Sequence, residues 1–184
     1  MKRPFAKETP TRKHWLRNNH VWTAVTIGTL ILGTLVTIGI YWYQSRVVID
    51  RLIVRDITQL DAIFKRINDE CGILSFEHEH NYLDFLTVGA FSGATVGAMN
   101  LKNPQNWHGP YVQNTPKIQE KTYEILRTNK GYFLVPGAGV TLNNGQVIGK
   151  DIIFDETSDI AALIKDGLLS YHDQPLAAAI TTVR

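Results

Sequence analysis

The residues best suited to do chemistry sit together near the middle of the chain, as Glu77-His78-Glu79-His80 with Asp84 just beyond. Imidazole nitrogen combined with carboxylate oxygen is a donor set for divalent transition metals. Alternation along a strand would put His78 and His80 on one face, whereas a helix would pair His80 with Asp84 across one turn. Neither arrangement closes the ligand set of a structural zinc site without help from distant residues, and a solvated acidic loop is the competing reading. His78, His80 and Asp84 are the metal-ligand candidates, and the chemistry they imply is binding by a sensor. Cys71 is the only cysteine, so neither an intrachain disulfide nor a cysteine-based metal site can form. Its context, Asn68-Asp69-Glu70-Cys71-Gly72, reads as a helix end with a semi-buried structural thiol.

Catalytic signatures are missing. The chain has no G-x-S-x-G, H-E-x-x-H, P-loop or dinucleotide fingerprint. Gly137-Ala138-Gly139 falls between two strand candidates, where a hairpin turn is expected and no helix dipole could meet a phosphate. The expectation is a protein that is not an enzyme and carries no cofactor.

What positions these residues starts with a membrane anchor. Lys2, Arg3, Lys7, Arg12, Lys13 and Arg17 precede an uncharged run, Val21 to Tyr43, long enough at about 1.5 Å per residue to span a bilayer. Trp22 at one end and Tyr41, Trp42 and Tyr43 at the other fit interfacial aromatic belts. The basic excess before the span puts the N-terminus in the cytoplasm under the positive-inside rule. A cleaved signal is the rival, but Tyr41-Trp42-Tyr43-Gln44 stands where a small-residue cleavage site would be needed. Thr29, Gly33 and Thr37 recur every four residues and form a small-residue face for packing against another membrane helix. The remaining basic residues are scattered, which argues against nucleic-acid binding.

Beyond the span, Ile49, Ile53, Ile57, Leu60, Phe64 and Ile67 follow helical spacing in a heptad-like seam, with charged residues between them. Nothing between Tyr43 and Ile49 breaks a helix, so span and seam read as one helix ending near Gly72. Tyr82, Leu83, Phe85 and Leu86 suggest a short helix, and residues 89–94 a small-residue loop. Strands are expected at Thr122–Leu126, Tyr132–Val135, Val140–Leu142 and Gln146–Ile148, the last two joined by a type I′ turn at Asn144-Gly145. Thr157-Ser158-Asp159 opens a helix that stops at Gly167. Residues 174–184 read as either a closing strand or a helix.

Between helix and strands stands Asn106-Trp107-His108-Gly109-Pro110-Tyr111. Trp107, Gly109, Pro110 and Tyr111 form a W-x-G-P-Y element similar to that of many type II secretion pseudopilins. With the leader-like tail, the apolar helix and the meander, the chain resembles the type IV pilins and pseudopilins over roughly residues 20–150. Pilins are cut after a glycine ahead of a helix that typically begins F-T-L-I-E, and the nearest stretch here is Gly28-Thr29-Leu30-Ile31-Leu32. The resemblance therefore implies a pilin-like domain kept on its anchor, in a bacterial inner membrane.

Together these readings give an α+β fold: an N-terminal transmembrane helix continuing into an amphipathic helix that packs on a small antiparallel β-meander. They divide the chain into a basic cytoplasmic tail (1–20), a transmembrane helix (21–43) and an extracytoplasmic pilin-like domain (44–184). The expected function is a structural or interaction subunit of a membrane-anchored envelope assembly. Its partners are other membrane proteins, the lipid bilayer and possible further copies of itself. The alternative is a membrane-tethered ligand- or metal-binding sensor domain.

Overall fold

The structure, a computed structural model, describes the backbone of residues 13–183 and the side chains of residues 22–41 and 49–183. The basic residues up to Arg12, and the side chains of Trp42 and Tyr43, lie outside the described residues. The fold is α+β, and the chain divides into two compact units, Met1–Gln44 and Ser45–Arg184. Helix α1 (Lys13–Cys71) runs through the span and the seam, as the absence of a helix breaker implies.

In the first unit, Trp22–Tyr41 is long and apolar enough to cross a membrane, with a mean hydropathy of 1.9. All its side chains are exposed. Four of its threonines bond their hydroxyls to the preceding turn. Thr26 donates to the Trp22 carbonyl at 2.6 Å, Thr29 to that of Val25 at 2.9 Å and Thr34 to that of Leu30 at 2.5 Å, and Thr37 donates to Gly33. Back-bonding to the preceding turn leaves these hydroxyls satisfied within the helix itself.

The second unit is built on the seam. Ile53, Ile57, Leu60, Phe64, Ile67 and Cys71 are buried. The Phe64 ring meets Phe76 at 6.4 Å and Phe85 at 6.3 Å, both edge-on, and Phe76 meets Tyr132 at 5.0 Å. Such offset aromatic contacts add to the burial of the rings. The helix ends where glycine permits: Gly72 has a φ of +68°, and its N–H donates to the Asn68 carbonyl at 2.9 Å. The Asn68 side chain then accepts the Ile73 N–H at 3.0 Å, so a polar side chain completes the cap.

Strand β1 (Ile73–Phe76) pairs with β4 (Met99–Leu101), which pairs with β3 (Thr95–Val96). The main antiparallel sheet has the order β10 (Ala178–Ile180), β7 (Gly131–Pro136), β6 (Lys121–Thr128), β2 (His80–Tyr82), and β5 (Lys117–Ile118) also pairs with β6. A separate ribbon joins β8 (Ser170–Tyr171) to β9 (Gln174–Pro175). Leu83–Thr87 is a short 3-10 helix, and α2 (Ile160–Lys165) is capped by the Asp159 side chain accepting from Ala162 N–H at 3.2 Å.

The structure corrects the meander in its second half. Val140–Leu142 and Gln146–Ile148 are not strands, and the pair is reduced to a single bridge, Thr141 to Val147. The Asn144-Gly145 turn is not type I′, because Gly145 has a φ of +86° while Asn144 is not in the left-handed region. Leu142 N–H donates to the Gln146 carbonyl at 2.9 Å across a three-residue loop, an arrangement in which one glycine suffices. Left-handed pairs occur instead at Gln119-Glu120 (φ 50° and 61°) and His172-Asp173 (φ 48° and 62°), the two-residue tips of β5–β6 and β8–β9. The C-terminal ambiguity resolves to strands.

Candidate functional site

The three metal candidates are placed apart. Strand β2 begins only at His80, so His78 sits in the preceding bend and not on a shared strand face. Its backbone is held by Asn81, whose side chain accepts from His78 N–H at 3.0 Å and donates to its carbonyl at 2.7 Å. Asp84 accepts the Phe85 N–H at 3.0 Å in the first turn of the 3-10 helix. Among the described residues no group of three or more His, Cys, Asp or Glu could hold a metal ion. The candidate residues thus fall on different elements, His78 in a bend, His80 on β2 and Asp84 in the 3-10 helix.

His80 is paired instead with Glu124, its Nδ1 lying 3.2 Å from the buried carboxylate of that residue on β6. Burial raises the Glu124 pKa above the usual carboxylate range, and His80 offsets part of the rise. Sequence reasoning misses this pair because the partner is 44 positions away and only the β2–β6 register brings it close.

The W-x-G-P-Y element closes over the end of α1. The Trp107 indole N–H donates to the Val88 carbonyl at 3.0 Å, and its ring stands edge-on to Phe91 at 5.6 Å and to Tyr111 at 4.8 Å. A Cβ on Gly109 would lie 2.2 Å from the Val88 carbonyl oxygen and 2.5 Å from the indole nitrogen, so no other residue fits there. The Gly109-Pro110 bond is cis. Tyr111 N–H donates to the Leu86 carbonyl at 2.9 Å, and its hydroxyl lies 3.4 Å from Glu70, whose other oxygen takes the Arg66 Nε–H at 2.9 Å. Asn103 N–H and the Asn106 side chain satisfy the last helical carbonyls, those of Cys71 at 2.7 Å and Glu70 at 2.9 Å. Trp107 belongs to the core at 8% exposure. Burial and the neighbouring Glu70 raise the Cys71 thiol pKa, as befits a packed, unreactive sulfur.

A cleft of about 260 Å³ in the second unit also has polar character. Asp50, Asn143, Asn144, Ser170, Tyr171 and His172 are among its lining residues. Asp50 is 4% exposed and accepts the Asn143 N–H at 3.0 Å. Burial raises its pKa more than that hydrogen bond lowers it.

No family model, curated protein or solved structure matches this chain.

The small-residue face of the span is open: a Cβ added at Gly33 would meet nothing within 4 Å. Thr29 and Thr37 flank Gly33 at four-residue spacing on the same exposed helix. The cleft is not legible in the sequence, since its residues come from α1, the 142–144 loop, the segment after α2 and the β8–β9 ribbon.

Proposed function

We propose that this chain is a non-enzymatic, membrane-anchored interaction subunit of an envelope assembly, a pilin-like domain retained on its anchor. The observation that carries this reading is the span itself: twenty residues, Trp22–Tyr41, all exposed, with a threonine and glycine face whose hydroxyls are already satisfied. Such a face allows close approach of another helix backbone without stranding a polar group in lipid. The basic residues ahead of the span favour a cytoplasmic N-terminus, and the second unit then faces the periplasmic side of a bacterial inner membrane. The W-x-G-P-Y element supports the pilin-like reading as a structural device, since it fixes the end of the long helix to the 3-10 helix and the loop after it.

The test is purification of the tagged full-length protein from its native membrane in mild detergent, with mass spectrometry of what accompanies it. The expected outcome is recovery in stoichiometric complex with other membrane proteins, reduced by Gly33→Leu while membrane insertion persists. Recovery as a lone monomer in both forms would overturn the reading.

A further inference from the structure

The Asp50 cleft combines a carboxylate with aromatic rings, and that combination suits a cation. Among the described residues no Lys, Arg or His forms a salt bridge with Asp50. A carboxylate drawn out of water without a counter-charge is poorly compensated by one backbone N–H. Tyr171 and His172 stand edge-on with centroids 4.3 Å apart, and both line the cleft, where a phenol ring is a type of group that attracts a positive charge. Asn143 and Ser170 also line the cleft, whereas the Asn144 amide is already engaged with Gln146.

The shape narrows the class of cation. Oδ1 of Asp50 already accepts the Asn143 N–H, so the planar fork of a guanidinium would have to share that oxygen. A compact ammonium needs only one carboxylate oxygen. The cleft is smaller than the roughly 300 to 1,000 Å³ of sites for larger ligands. We propose that it binds a small primary ammonium group, with Asp50 as its counter-charge and the Tyr171 ring as its apolar face. The source is either a free small amine or an ethanolamine lipid headgroup, which share this chemistry.

The test uses the full-length protein in phosphatidylcholine nanodiscs, titrated calorimetrically with ethanolammonium chloride. Saturable binding is expected, weakened about tenfold by Asp50→Asn, which keeps the side-chain size and the acceptor for Asn143, and about threefold by Tyr171→Leu. Thermal unfolding of each variant establishes that it is folded. Absence of saturation, or equal affinity in folded Asp50→Asn, would overturn the proposal. So would binding that appears only in Arg46→Ala, because Arg46, four residues before Asp50, would then be the cleft's own cation. Repeating the titration in phosphatidylethanolamine nanodiscs separates the sources: abolished binding identifies the headgroup as the occupant, and unchanged binding identifies a free amine.

Discussion

Trp22–Tyr41 and Ile53–Cys71 belong to the same helix, yet every side chain of the first is exposed while six positions of the second are no more than 3% exposed. The first stretch is apolar all round and lacks Asp, Glu, Lys and Arg, and the hydroxyls of Thr26, Thr29, Thr34 and Thr37 turn inward onto its own carbonyls. The second confines its apolar residues to one stripe and covers the rest with charge, including the Lys65–Asp61 and Arg66–Glu70 pairs one turn apart. The contrast teaches that the distribution of apolar residues around a helix, more than their number, selects between lipid and a protein core as the environment.

The contrast can be broken most severely at the seam. Phe64→Ala removes a fully buried ring touching Phe76 and Phe85 and should cost about 3–5 kcal/mol in chemical denaturation of the second unit, leaving insertion of the span unchanged. Its counterpart is Leu32→Arg, expected to cost about 2.5–3.5 kcal/mol in an insertion assay while the melting temperature of the second unit stays put. If either change moves both readouts, the two stretches are not independent in this way. Gly109→Ala forces a Cβ against a backbone carbonyl and should destabilise the second unit by about 1–3 kcal/mol, with hydrogen exchange quickening first at Cys71 and Gly72.

Acidity sharpens the comparison, because it acts on the second unit. Burial lifts the Glu124 pKa above its unfolded value. The resulting stabilisation is fully present below the unfolded value and is lost as pH rises through the folded one. Glu124→Gln should therefore melt higher than the parent protein at about pH 7, with the gap closing at about pH 4; a gap that widens on acidification would contradict this account. The smallest effect is expected for Thr34→Val in the span, within about 0.5 kcal/mol in an insertion assay, since the lost hydroxyl bonds only to its own helix among the described contacts.

What could be read from residues alone follows the range of the interactions involved. The seam, the end of α1 at Gly72, the β6–β7 hairpin and the cap of α2 are legible because periodicity and capping are written within a few positions. Residues 174–184 are not, because Ala177-Ala178-Ala179 carries no pattern and Ala178–Ile180 becomes strand only through pairing with β7. The turns fail for a related reason. Asn144-Gly145 has the composition of a type I′ turn but is closed as a longer loop, in contact with the Asp50 carboxylate through Asn143, whereas Gln119-Glu120 adopts the left-handed pair without its usual residues. The pairing of His80 with Glu124, and the Asp50 cleft, both require a partner far along the chain and so carry no local signature.

The alignment of the seam has a mechanical meaning. Ile53, Ile57, Leu60, Phe64, Ile67 and Cys71 all lie on α1, so tension applied along the axis of that helix must slide their contacts together instead of peeling them one after another. At the far end Asn103, Asn106 and Tyr111 hold the last turn against the pull. The second unit should therefore give way in one rupture under axial traction on α1, at a higher force than when it is drawn from its C-terminal strand, a difference that single-molecule pulling from the two attachment points can measure.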